Sequence, residues 1–204
     1  MYLSEILISR IDRALENLIN RLPNGNIGLV FIGLNTFFYM LYLTWPKDLL
    51  HKYMNNFTVS NYNLSRGRFH TLLLAQFSHM SFLSFLLDTF IIFLFCQNIQ
   101  FMTGPVYIAK LSILAVVLSS FLLMLQHSSQ GMQRPYWGND SILRGLIFTV
   151  IFRNPTASFY MLPFPISIPA WVIAAVLLGL DFMTLNTASF GGISASYLMM
   201  HYIR

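Results

Sequence analysis

Long charge-free runs constrain this chain more than any other feature. Between Arg21 and Lys47 lie 25 uncharged residues, between Arg68 and Asp88 lie 19, and between Asp88 and Lys110 lie 21. A further 23 separate Lys110 from Arg134, 27 separate Arg153 from Asp181, and 22 separate Asp181 from Arg204. A helix that crosses a bilayer needs about 20 apolar residues, so the chain reads as a polytopic membrane protein. Composition agrees. Of the 204 residues 56% are hydrophobic and 9% are charged, with a mean hydropathy of +0.62, where soluble domains carry about 25% charge. Such a chain has too much apolar side chain to stay disordered or to fold as one water-soluble domain. The net charge of +5 is scattered and fits Lys and Arg flanking spans rather than a nucleic-acid surface. Cys96 is the only cysteine, so no internal disulfide is possible.

Leu3, Leu7, Ile11, Leu15, Leu18 and Leu22 recur at helical spacing, opposite Glu5, Arg10, Asp12, Arg13 and Glu16. Residues 1–24 therefore form an amphipathic helix for the membrane surface or a partner, ended by Pro23, Asn24 and Gly25. The acids cancel Arg10, Arg13 and Arg21, and no short apolar run leads to a cleavage site. Neither a presequence nor a secretory signal is expected. Residues 25–204 form one domain with six spans and no internal repeat. The spans run over Ile27–Trp45, Thr71–Ile99, Val106–Gln126, Asp140–Phe152, Ser167–Phe182 and Thr187–Tyr202. Lys47–Arg68 reads as a polar loop with a short surface helix; His127–Trp137 and Asn154–Pro165 read as further loops. The fourth span is only about 20 Å long at 1.5 Å per residue, and it carries polar groups, so it needs other helices around it.

Asp88, Asp140 and Arg144 fall within spans, where an ionisable group costs about 2.5 kcal/mol or more and takes an inward-facing partner. Asp140 and Arg144 are four apart, share a helix face and can pair, with Asp88 placed to join them. Lys110 lies near a span end and can snorkel. Ser141 opens the short span, but only His79 falls in the spans around it, and Ser84, Ser189 and Ser194 have no evident base. The five histidines, at 51, 70, 79, 127 and 201, show no metal-ligand spacing. No cofactor or metal is expected, and His79 reads as a hydrogen-bonded core residue.

Three motifs in order carry a family resemblance. The run Phe77-Ser78-His79-Met80-Ser81, continuing to Ser84 and Asp88, resembles the second-span motif of rhomboid intramembrane proteases. That motif has a His, a second His five places on, and an Asn four places after it. Gly138-Asn139-Asp140-Ser141, with the later Gly145, resembles the Gly-x-Ser-Gly segment that opens the fourth span. Ala188-Ser189-Phe190-Gly191-Gly192 is similar to the family's Ala-His-x-Gly-Gly. The resemblance extends from about Ile27 to Tyr202. It implies an all-α, rhomboid-like six-transmembrane-helix bundle, closest to the mitochondrial, presenilin-associated rhomboid-like branch.

The departures fall on the chemistry. Family members use a Ser nucleophile and a His base. The resemblance puts Asp140 at the nucleophile position and Ser189 at the base position, with Ser84 and Asp88 where the second His and the Asn belong. A carboxylate cannot replace the hydroxyl in acyl transfer, and loss of either partner removes nearly all catalysis. The resemblance therefore implies a catalytically inactive rhomboid pseudoprotease. Its former cavity is expected to hold an Asp140–Arg144 ion pair, with Asp88 or Ser189 bonded to it. The expected role is a structural subunit of a hetero-oligomeric complex in the mitochondrial inner membrane, a respiratory or protein-import assembly, contacting other membrane subunits and lipids but not nucleic acid. An alternative is a pseudoprotease that binds or moves membrane clients in quality control, with the endoplasmic reticulum as second location. Such factors usually carry a cytosolic recruitment tail, and with Arg204 directly after the last span none is expected here, which ranks this reading second. A residual enzyme using Ser141 as a shifted nucleophile is a third reading.

Overall fold

A computed structural model describes residues 2–22, 25–129, 135–156, 158–161 and 166–201 of the chain. Pro23, Asn24, Arg134, Pro165, Tyr202 and Arg204, and the side chains of Leu3, Glu5 and Leu7, lie outside the described residues. The architecture is helical: α1 (Tyr2–Ile19), α2 (Ile27–Thr44), α3 (Leu50–Phe57), α4 (Asn61–Ser65), α5 (Thr71–Leu74), α6 (Phe82–Thr103), α7 (Pro105–Ser129), α8 (Asp140–Arg153), α9 (Ala170–Met183) and α10 (Thr187–His201). Three of these, α2, α6 and α7, are long and apolar enough to cross a membrane. The other expected spans, α8, α9 and α10, have 14, 14 and 15 residues. At 1.5 Å per residue each is about 21–23 Å long, short of the roughly 30 Å hydrocarbon core.

Local chemistry sets the boundaries. Pro46 restricts Trp45 to extended backbone, and α2 stops there with Trp45 at ψ 132°. Gly104, at φ +84°, makes the tight turn from α6 to α7, and Pro105 opens α7, where its missing N–H costs nothing. The second expected span is broken. α5 and a 3-10 turn at Ala75–Phe77 are followed by extended backbone at Ser78, and α6 starts only at Phe82. The break leaves His79 in a non-helical corner. The stretch from Lys47 to Arg68, expected as a polar loop with a short surface helix, contains two short helices, α3 and α4, and is folded onto the end of α2. Tyr53 is fully buried and packs edge-on against Trp45 and Tyr42, while buried Asn63 donates to the Thr58 and Met54 carbonyls at 2.8 and 3.1 Å. α7 runs on through His127, which bonds Asn61 at 2.8 Å. The expected loop after α8 contains strand β1 (Ser158–Met161), paired antiparallel with β2 (Ile166–Pro169). Ser167, expected in the fifth span, therefore lies on a strand.

α8 is the inner helix, as its short, polar sequence requires. Nine of its residues are buried, from Ser141 to Ile151, against Ile92 and Cys96 of α6, Leu111 and Ala115 of α7, and Ala195 and Met199 of α10. α2 stacks on α6 through Tyr39 and Phe85, with rings 4.5 Å apart, and through an Asn35–Thr89 hydrogen bond of 3.2 Å. α1 lies against α7 of the same chain. Ile19 joins the core, and Asp12 forms a salt bridge with Lys110, so the lysine does not simply snorkel.

The packing depends on two glycines. A Cβ on Gly192 would sit 2.8 Å from the Ser141 carbonyl carbon and 2.9 Å from the Gly145 nitrogen; one on Gly191 would meet the Ser119 Cβ at 2.7 Å. Here α10 runs backbone to backbone against both α8 and α7, the close approach that small residues permit between membrane helices. The obstructing atoms at Gly192 are main chain, so the clash has no side-chain escape. We predict that Gly192→Ala lowers unfolding stability in mild detergent by roughly 3 kcal/mol, the upper range for overpacking. Gly33→Ala on α2, with no atom within 4 Å of the added Cβ, should be neutral or slightly stabilising.

Candidate functional site

The three motif segments meet at one end of the bundle: the corner at 75–81, the start of α8, and the start of α10. Gln76, fully buried, is the hub. Its Nε2 donates to Ser119 Oγ on α7 at 3.0 Å. Its Oε1 accepts from Ser141 Oγ at 2.6 Å and from Tyr136 Oη at 3.2 Å. Burial pushes the Tyr136 phenol well above its usual value, so it stays protonated and donates; the Gly138 carbonyl, at 2.7 Å, is its closer acceptor. Tyr136 is itself held by a two-way backbone bridge to Val59. One amide thus joins α7, α8 and the segment that enters α8, satisfying groups that would be costly to bury alone.

His79 lies beside the start of α8. Its Nε2 is 3.2 Å from Asn139 Nδ2. With that amide donating, the ring proton is on Nδ1, which faces Asp88 Oδ2 at 3.7 Å, beyond hydrogen-bond reach. Asp88 instead accepts from Ser84, one turn away on α6, at 3.2 Å. His79 is thus the hydrogen-bonded core histidine expected from its apolar surroundings.

Asp140 and Arg144 do not pair with each other. Arg144 reaches across to α9 and binds Asp181 through two parallel bonds, Nε to Oδ2 at 2.7 Å and an Nη to Oδ1 at 2.9 Å. This is the bidentate geometry a guanidinium favours, and both side chains are largely withdrawn from the surface. Asp140 accepts from Asn186 Nδ2 at 2.8 Å. Asn186 Oδ1 in turn accepts from the Ser189 N–H at 3.4 Å, an N-cap for α10. The turn that delivers Asn186 holds Leu185 at φ +51°, a region non-glycine residues occupy at a cost. The expected Asp140–Arg144 pair is therefore replaced by two contacts to other segments. The physical reason is geometric: Asp181 faces the guanidinium fork, whereas Asp140 on the same helix cannot match it while bonded to Asn186. Neither Asp88 nor Ser189 bonds the pair. Ser189 is fully buried and its hydroxyl has no hydrogen-bond partner. Among the described residues no group of three or more His, Cys, Asp or Glu is placed to hold a metal ion.

A family model, the rhomboid domain, matches residues 66–204. The chain belongs to the rhomboid family. The match covers the corner at His79, α8 and α10, and leaves out α2, which the motif resemblance had included. The chain is also 26% identical over 147 residues to the mitochondrial RHOMBOID-like protein 12 of Arabidopsis thaliana, covering 65% of this chain and 44% of that relative. It thus spans less than half the length of the relative it matches. No solved structure matches it.

Within this rhomboid domain, sequence reading missed Gln76, Tyr136, Asn139, Asp181 and Asn186. The first four bind groups at least 37 residues away in sequence, although Tyr136 also donates to the nearby Gly138 carbonyl. Only Asn186 left a local signal, as an Asn three residues before Ser189 at a helix start.

The two contacts predict a double-mutant cycle. Arg144→Met and Asp181→Leu should each destabilise by about 3–5 kcal/mol, because each strands a buried charge. The double variant should cost clearly less than their sum. In a parallel cycle Asp140→Asn and Arg144→Met should be nearly additive. Unfolding midpoints in one detergent measure both.

Proposed function

We propose that this rhomboid-family membrane protein works without proteolysis, as a structural subunit of a larger hetero-oligomeric assembly in the mitochondrial inner membrane. One observation carries the reading. Where the family resemblance places the nucleophile stands Asp140, and its carboxylate is engaged by the Asn186 amide. The neighbouring facts support it. The base position holds Ser189, and Ser141, the nearest hydroxyl, donates to Gln76 rather than to an imidazole. A serine without a positioned base is a weak nucleophile. The name of the Arabidopsis relative includes "mitochondrial", which supports that organelle; respiratory and protein-import assemblies both fit. In this reading α8, α9 and α10 complete a six-span bundle with the three long helices, and the site serves as an internal brace.

The shortness of α8, α9 and α10 favours a second reading, local thinning of the bilayer by a pseudoprotease that binds or moves membrane clients. The two differ in stoichiometry. Native gels after gentle extraction should place the whole pool of the chain in one large complex of fixed composition; a free monomer, or substoichiometric and changing companions, overturns the subunit reading. A fluorophosphonate probe tests catalysis directly. We predict no labelling of the wild-type chain beyond that of Ser141→Ala; labelling that Ser141→Ala abolishes establishes a serine enzyme.

A further inference from the structure

Lys110 and Arg153 come together at the end of the bundle opposite the Gln76 network, where α6 ends, α7 begins, and α8 and α10 end. They line one cavity of about 590 Å³ with Thr103, Tyr107 and Met199. Arg153 is exposed, and its guanidinium lies over the Tyr107 ring at 5.7 Å from the centroid. Among the described residues it forms no salt bridge. Lys110 is bound to Asp12 of α1. Among the described residues, the cavity therefore holds one cation paired with a carboxylate and one that is not.

The cavity does not stop at the charges. It shares Lys110 and Met199 with an apolar groove of about 230 Å³ between α1 and α7. That groove shares Leu15, Ile113 and Val117 with a second, of about 550 Å³, that runs to Phe31 of α2 and Ile142 of α8. α1 gives the depth of this end of the molecule. Its Ile11 and Leu18 are exposed apolar groups, and Arg10 and Arg13 are exposed on the same helix, the pattern of a helix lying at the boundary between lipid and water. A basic pocket at headgroup level thus opens into a greasy track along α7.

We propose that this track binds one phospholipid with an anionic, phosphate-bearing headgroup. The phosphate lies at Arg153, which can form charge-assisted bonds to its oxygens, with Lys110 alongside and Asp12 limiting the net charge of the pocket. An acyl chain occupies the α1–α7 groove, where Ile113 and Val117 form the wall. The lipid bridges α1 to the bundle core, a contact otherwise made by the Asp12–Lys110 pair and a few leucine and isoleucine side chains. This site is independent of whether the chain is catalytic, so its failure leaves the pseudoprotease reading untouched.

Native mass spectrometry of the full chain in detergent, titrated with phosphatidylglycerol, phosphatidylcholine or glycerol phosphate, tests it. The expected result is one phosphatidylglycerol bound at least fivefold more tightly than phosphatidylcholine, with glycerol phosphate far weaker than either lipid. Arg153→Ala should reduce phosphatidylglycerol affinity about fivefold, the weight of one cation at the membrane surface, and leave phosphatidylcholine unchanged. Val117→Trp, at an exposed position on the groove wall, should weaken both lipids and leave glycerol phosphate unchanged. Unaltered melting of both variants without lipid separates binding from folding, and Arg153→Gln, which also removes the charge but keeps a long polar side chain, replaces Arg153→Ala if that variant melts early. Equal affinity for the two lipids, or no effect of removing the Arg153 charge, overturns the proposal. Glycerol phosphate binding as tightly as phosphatidylglycerol overturns the lipid in favour of a free anion.

Discussion

The fold rests on the backbone contact of α10 with α8 and α7 at Gly191 and Gly192. No side chain separates the helices there, so their polar side chains are set at hydrogen-bonding distance rather than one side chain apart. Ser141 and Ser119 are the residues against which the two glycines pack, and both belong to the Gln76 network. The seam that brings the helices together is also the seam that holds the polar centre in register. In a membrane, where apolar surface gives little net drive for helix association, such close packing with satisfied polar contacts is the main source of specificity.

Around that seam the charges brace separate elements. α9 buries little of its surface; Ala170 and Asp181 are its buried residues. The Arg144–Asp181 pair fastens its C-terminal part to the inner helix, and the Asp140–Asn186 contact fastens the start of α10 beside it. Asp140 and Arg144, which the one-turn spacing on α8 would have made a local pair, instead tie α8 to α9 through Asp181 and to the start of α10 through Asn186. A buried ion pair need not add net stability over apolar packing, but its bidentate geometry accepts only one position of α9. That makes it a device for orientation.

How much of this was legible depends on the range of each signal. The charge-free runs showed membrane helices, Pro46 and the Gly104-Pro105 turn showed their ends, and the glycines after Ser189 showed a close helix contact, because each is a property of neighbouring residues. The break at Ser78–Ser81 was hidden, since no glycine or proline marks it and apolar runs flank it on both sides. The antiparallel pairing of Ser158–Met161 with Ile166–Pro169 was hidden too, because the strands are only four residues each. Arg144 shows the limit most clearly. Sequence spacing offered Asp140, four residues away; the chosen partner, Asp181, is 37 residues away on another helix.

The sequence alone determined the solvent, the order of the helices, the inner position of α8 and the family motifs, because hydropathy, turn chemistry and motif spacing are written along the chain. The tertiary structure decided which polar groups meet: Gln76 with Ser119, Ser141 and Tyr136; His79 with Asn139; Arg144 with Asp181; Asp140 with Asn186. It also decided that Lys110 and Arg153, 43 residues apart, line one cavity. Partner choice for a buried polar group is set by direction and distance in three dimensions, and those follow from how closely the helix backbones approach.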